Sequence, residues 1–106
     1  MNEAEFSECV EQTLVAIEEA IDESGLSLDY ENAAGILTIF CEDSDSQVIV
    51  SRQTPLKQIW VAAKSGGYHC SREDEAWKCT TTGESLQVLL SRVCGEQSKN
   101  ELELAW

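Results

Sequence analysis

Between Glu3 and Ser24 the apolar positions are Phe6, Cys9/Val10, Thr13/Leu14, Ile17 and Ile21, the three-and-four spacing of one helical stripe. Gly25 supplies a natural C-terminal stop, so the first element is predicted as a helix ending there. Val15 lies off the stripe, among the acids. Past Gly25 the period falls to two. Leu26 to Glu31 alternates as an edge strand, Ala34-Gly35 turns the chain, and Ile36 to Cys41 is apolar on both faces, as a central strand is. Glu42 to Ser46 reads as a turn and Gln47 to Arg52 as the returning strand. Pro55 precedes a strand from Lys57 to Ala63, Gly66-Gly67 turns into Tyr68 to Ser71, and Ala76 to Thr80 makes a sixth strand. Thr81 and Glu84 have the spacing of a capping box and predict a second helix opening there. Its buried stripe is Leu86, Leu89, Leu90, Val93 and Cys94, with Gly95 as its end. The tail 101–106 alternates weakly and is expected to lie against the helices.

Helix, about six short strands joined by hairpins, then helix: this order predicts an α+β fold, an α/β sandwich with both helices packed on one face of an antiparallel sheet. The 106 residues suffice for one modest core, so 1–106 is read as a single domain. Two helices cover only one face of such a sheet. In the strand before Lys64, Ile59, Val61 and Ala63 share the core parity, whereas Gln58, Trp60 and Ala62 point the other way. Trp60 therefore belongs to the uncovered face, either as a binding anchor or as a ring covered by its neighbours on the sheet.

Charge narrows the partners. Twenty acidic against seven basic residues give a formal charge of −13, which disfavours nucleic acid and anionic membranes and favours cations and basic protein surfaces. No apolar run approaches the ~20 residues needed to span a bilayer. The acidic start lacks the features of signal and transit peptides, so a cytoplasmic protein is expected. The acids concentrate at the end of the first helix, where Glu18, Glu19, Asp22 and Glu23 have no Lys or Arg among them. Glu18–Asp22 and Glu19–Glu23 are i,i+4 pairs and Glu19–Asp22 is i,i+3, each costing roughly 0.2–0.5 kcal/mol in an isolated helix. Anions beside the negative end of the helix dipole lose a further ~0.3–1 kcal/mol each at low salt. Two readings follow: a solvated face that keeps the protein soluble, or a site for a cation or a basic partner.

Other chemistries find little support. The five cysteines (Cys9, Cys41, Cys70, Cys79, Cys94) are odd in number and contain no CxxC pair, so they read as buried core residues in a reducing compartment. The acidic turn after Cys41 lacks the glycine and distal glutamate of a calcium loop. His69, the sole histidine, is remote in sequence from the acidic helix and is placed near Trp60. Carboxylates without histidine or thiolate make weak, unselective metal sites. No nucleophile–base pair or phosphate loop is present, and a di-iron oxidase would need histidine support. A non-enzyme is expected.

Gln53-x-Pro55, Gln58-Ile59-Trp60 and Ser65-Gly66-Gly67-Tyr68, within the run from Arg52 to His69, together resemble the signature of the frataxin family, nearest its bacterial (CyaY) branch. The resemblance extends over nearly the whole chain: the acidic first helix, the strand order, the Trp77 strand and Gly83-Glu84 opening the second helix. It implies an α/β sandwich and a role in iron–sulfur cluster assembly in the bacterial cytoplasm. It further implies weak binding of iron (Fe2+ or Fe3+), replaceable by other divalent or trivalent cations, and contacts with a cysteine desulfurase and an iron–sulfur scaffold protein. Carried onto this chain, the iron contacts are Glu18, Glu19, Asp22 and Glu23, with Asp29 and Glu31 from the first strand. Glu18, Glu19 and Asp22 are also expected to meet a basic patch on the desulfurase, and Gln58, Trp60 and His69 to form a partner-facing sheet surface. A monomer is expected, with metal-dependent oligomers as a second state. Cys70 and Gln87-Val88 depart from the bulkier family pattern and imply a lighter core, at ~2–5 kcal/mol per uncollapsed site. The rival readings are a structural binding module with incidental metal, and a ferroxidase-type enzyme.

Overall fold

The computed structural model describes residues 1–25, 28–73, 75–99 and 102–106. Helix α1 spans Glu3–Ser24 and buries Phe6, Val10, Thr13, Leu14, Ile17, Ala20 and Ile21. It opens on a reciprocal cap: the Asn2 side chain accepts from the Glu5 amide at 2.8 Å, and the Glu5 carboxylate accepts from the Asn2 amide. Gly25 closes it at φ 67°, in the left-handed region where glycine carries no Cβ penalty.

Six strands follow: β1 Leu28–Ala33, β2 Ile36–Cys41, β3 Ser46–Gln53, β4 Gln58–Ala63, β5 Gly66–Glu73 and β6 Ala76–Cys79. They pair antiparallel in chain order, so β1 and β6 are the edges and β2, apolar on both faces, is internal. Helix α2, Leu86–Ser98, completes the sandwich. The predicted class holds: both helices share one core with one side of the sheet. Leu37, Ile39 and Cys41 of β2, Val48 and Val50 of β3, Ile59 and Val61 of β4, Cys70 of β5, and Trp77 and Cys79 of β6 point into it. Burying each larger aliphatic side chain here stabilises the fold by roughly 1.5–3 kcal/mol. Four cysteines are buried in this core and Cys9 is half-buried; all five are free thiols.

Several boundaries differ from the sequence reading, each for a local reason. The first strand runs past Glu31 to Ala33, and Leu26 and Ser27 lie outside the described residues. Lys57 is not in a strand: it takes φ 50° to close the 3-10 turn Thr54–Leu56, and β4 starts at Gln58. The turn before β5 is made by Lys64 and Ser65, with Gly66 and Gly67 already in the strand. Thr81 and Glu84 do not form a capping box. Ser85 is the N-cap, accepting from the Val88 amide at 3.2 Å, because Glu84 is drawn back to β6 by the Cys79 amide donating to its carbonyl. Gly95 does not end α2, which continues to Ser98 and closes at Lys99. A glycine costs a helix interior about 1 kcal/mol. Gln97 outweighs that cost: buried, it accepts from the Lys64 amide (2.9 Å) and donates to Ser46 Oγ (2.9 Å) and the Gln47 carbonyl (3.1 Å).

Polar contacts brace α1 and the tail. Arg52 leaves β3 on the helix-facing side and donates to Ser7 Oγ at 3.2 Å, with Glu11 at 4.0 Å. Its guanidinium passes the β1–β2 turn at Gly35, where a Cβ would lie 2.6 Å from Nη2. The tail does lie against α2, although Glu101 is outside the described residues. Leu104 is buried and its amide donates to Ser91 Oγ at 2.9 Å. The Gln87 amide donates to the Trp106 carbonyl, and Trp106 packs on the core there.

Candidate functional site: an acidic helix ridge and an uncovered sheet face

The amphipathic period that buries Ile17, Ala20 and Ile21 leaves Glu19, Asp22 and Glu23 exposed and Glu18 half-buried at its flank. No basic residue occupies the last turn of α1. Among the described residues the ion pairs join Arg52 to Glu11 and Arg92 to Glu84 and Glu96, all away from this ridge.

Two of the four carboxylates are anchored by the neighbouring edge strand. Glu18 Oε2 accepts from the Asn32 side-chain amide at 3.3 Å, and Asp22 Oδ2 accepts from the Tyr30 hydroxyl at 2.9 Å. That hydrogen bond raises the Tyr30 pKa above its ordinary value of 10.0, helped by desolvation and by the charges of Asp22, Glu18 and Asp29. Tyr30 and Asn32 went unremarked in the sequence. Strand alternation was the available signal, because they share parity with Leu28 and so face the helix.

The same alternation separates the acids of β1 from the ridge. Asp29 pairs with Phe40 and Glu31 with Thr38, whereas Tyr30 pairs with Ile39 of the core row. Asp29 and Glu31 therefore lie on the opposite side of the strand from Tyr30, toward the uncovered face, and the Asp29 carboxylate accepts from the Tyr30 amide at 2.8 Å. The six carboxylates singled out in the sequence thus fall into a helix row of four and a strand pair. Among the described residues no three His, Cys, Asp or Glu side chains are grouped to hold a metal ion. Chemically the ridge is a linear array of hard oxygen donors open to water, able to offer mono- or bidentate contacts to a cation whose other ligands are water.

On the uncovered face Trp60 lies directly between Ser51 of β3 and His69 of β5. Its ring stacks on the His69 imidazole with centroids 4.4 Å apart and planes 9° apart. Trp60 Nε1 donates to Gln58 Oε1 at 3.0 Å, and Gln58 Nε2 donates in turn to Ser71 Oγ at 3.3 Å. The structure therefore brings Gln58, Trp60 and His69 into one cluster. Trp60 is half-buried and His69 exposed, so the ring is held by its neighbours while one side of the cluster faces water. An indole fixed in this way loses little side-chain entropy on binding, which favours it as an anchor.

Comparison with known proteins places the chain. Residues 1–100 match the family model of the frataxin-like domain. A protein of Vibrio cholerae serotype O1 named iron-sulfur cluster assembly protein CyaY is 42% identical over 103 residues, covering 97% of this chain and 98% of that one. A protein of the same name from Pseudomonas syringae pv. tomato is 45% identical over 107 residues, covering 99% and 96%. The solved frataxin of Psychromonas ingrahamii superposes over the full length of both chains with a TM-score of 0.91 at 32% identity. Whole-length sequence kinship and a shared sandwich lead to the same conclusion: this chain belongs to the frataxin-like family.

Proposed function

We propose that the protein is a non-enzymatic adaptor and regulator of iron–sulfur cluster assembly, acting in the bacterial cytoplasm, that holds iron weakly on the α1 ridge and docks on a cysteine desulfurase–scaffold complex. The observation that carries this reading is the row Glu18, Glu19, Asp22 and Glu23 at a helix end with no basic residue in its last turn. Helix stability alone selects against such a row, by repulsion between like charges and by the dipole. The names of the full-length relatives support the assembly role, and they describe assembly proteins rather than enzymes.

Iron is cargo in this account. Exposed carboxylates bind Fe2+ or Fe3+ through oxygen alone, accept other divalent and trivalent cations on the same terms, and release them readily. Asn32 and Tyr30 hold Glu18 and Asp22 in place, so only part of the ridge is ordered on binding. The same field, part of a formal charge of −13, steers the protein to a basic surface on the desulfurase. Iron and desulfurase then compete for Glu18, Glu19 and Asp22. Gln58, Trp60 and His69 offer the second surface, fitted to the scaffold protein. The protein works as a monomer, with oligomers forming only when metal bridges ridges.

Anaerobic titration of iron(II) against the isotopically labelled protein, followed by amide NMR, tests the metal half of this account. Paramagnetic broadening should begin at residues 18–23 and spread to Asp29 and Glu31. Broadening that leaves this helix end untouched, or that centres on His69, would refute it.

A further inference from the structure

The five thiols carry no part in the function proposed above, yet they are not scattered in space. Cys70 of β5 and Cys79 of β6 are directly opposite partners in the sheet register. Two backbone hydrogen bonds show which kind of antiparallel pair they form. The Thr80 amide donates to the His69 carbonyl at 2.8 Å, so the bond falls one residue outside the pair. The Cys79 amide points the other way, donating to the Glu84 carbonyl at 2.8 Å. Cys70 and Cys79 are therefore a non-hydrogen-bonded pair, the closer of the two antiparallel kinds, with Cα atoms about 4.5 Å apart. Disulfides span Cα separations of ~4.4–6.8 Å, so this register admits a bond with little backbone movement. Both side chains point into the core face, at 0% and 2% exposure.

We propose that Cys70 and Cys79 form a peroxide-responsive dithiol that closes to a disulfide across β5 and β6. Cys79 is the first to react. It sits at the end of a four-residue edge strand, where local opening admits a small oxidant, and its sulfur lies 3.9 Å from Thr81 Oγ1. Burial disfavours its thiolate, but hydrogen bonding with Thr82 and Thr81 outweighs that and lowers its pKa. Cys70 is held as the neutral thiol, pushed up to about 12 by burial and then by the adjacent Cys79 charge. The Cys79 thiolate takes one oxygen from hydrogen peroxide, breaking the O–O bond, and with one proton gives a sulfenic acid and water. That step removes the charge opposing Cys70 ionisation. The Cys70 sulfur then attacks the Cys79 sulfur, the S–O bond breaks, and the hydroxide leaves as a second water with the Cys70 proton. Two thiols and one peroxide thus give one disulfide and two waters, and an external dithiol reverses the change. The bond would lock the edge hairpin beside His69, whose ring stacks on Trp60 on the other face.

Intact-mass measurement of the whole protein after hydrogen peroxide, followed by a tryptic map, decides the matter. The expected product is monomeric, lighter by two hydrogen atoms, with peptide 65–72 joined to peptide 79–92 and both released by dithiothreitol. The Cys70→Ala variant should stop at a dimedone-trapped sulfenic acid on Cys79. Three results would overturn the proposal: oxygen added to the wild-type protein with no cross-link, a disulfide between other cysteines such as the neighbouring pair Cys41 and Cys94, or loss of two hydrogens by Cys70→Ala. Mapping of the wild-type protein decides the case even where that variant fails to fold.

Discussion

Glu23→Lys isolates the energetic cost of the ridge. Glu23 is exposed, lies in the last turn of α1, and has Glu19 as its i,i+4 neighbour. Replacing it by lysine turns a repulsive pair into an attractive one in the favoured Glu-before-Lys order, a change of about 0.4–1 kcal/mol. Moving from an anion to a cation beside the helix carbonyls adds about 0.6–2 kcal/mol. Exposure to solvent keeps both contributions near their lower limits, so the expected gain is about 1 kcal/mol at low ionic strength. For a domain of this size that corresponds to a rise of about 4–8 °C in Tm. Urea unfolding at low salt should give a higher midpoint with an unchanged slope, and the gain should shrink at 1 M salt, where the screening length is about 3 Å. A variant no more stable than wild type at low salt would refute the reasoning. So would a gain indifferent to salt, since that would be packing and not charge. The same substitution should weaken iron binding, so stability and metal affinity move in opposite directions.

Gln97→Ala should cost about 1–3 kcal/mol, because the buried Ser46 hydroxyl, the Lys64 amide and the Gln47 carbonyl each lose a hydrogen bond; urea unfolding measures it. Gly35→Ala combines a φ of 77° with a contact 2.6 Å from Arg52 and should cost about 1–3 kcal/mol. Amide shifts of Ser7 and Glu11 should report the loss of the Arg52 strap. The Arg92 guanidinium donates twice to Glu84 at 2.9 Å and holds its carboxyl below the ordinary value of 4.5. A depressed carboxyl stabilises the fold above its unfolded pKa and loses that contribution as pH falls through its folded one. Glu84→Gln should therefore lower stability by about 1 kcal/mol at neutral pH, after allowance for the exposure of Arg92. The difference from wild type should vanish in acid, as thermal melts across pH will show.

Hydrophobic period alone carried the architecture, because each element buries one face and burial alternates within β2, β3 and β4 between their turns. Boundaries were legible where a single residue dictates the backbone, as Gly25 does. They were misread where a tertiary contact outweighs the local preference. Gly95 has the local character of a helix end, yet Gln97, anchored to β3 and to the turn before β5, carries α2 past it. Thr81 and Glu84 have the spacing of a cap, yet Cys79 claims the Glu84 carbonyl and leaves Ser85 to start the helix. At the site, the four helix acids could be read from their spacing and Trp60 from parity, whereas its stacking on His69 follows from the β4–β5 register. Parity with Leu28 turns Tyr30 and Asn32 toward α1, but which helix carboxylate each one meets becomes visible only when the layers are assembled. The thiol pairing across β5 and β6 was hidden for the same reason: residues nine apart become neighbours only once the hairpin register is fixed.

In the function proposed, the ridge and the Trp60 face act together on a cluster-assembly complex. The most direct test adds the protein to a reconstituted desulfurase–scaffold reaction and follows cluster formation. Wild-type protein should change the rate, the triple charge reversal at Glu18, Glu19 and Asp22 should abolish that change, and Trp60→Ala should weaken it while the fold persists by circular dichroism. An effect on the rate that survives both the charge reversal and Trp60→Ala would contradict the account.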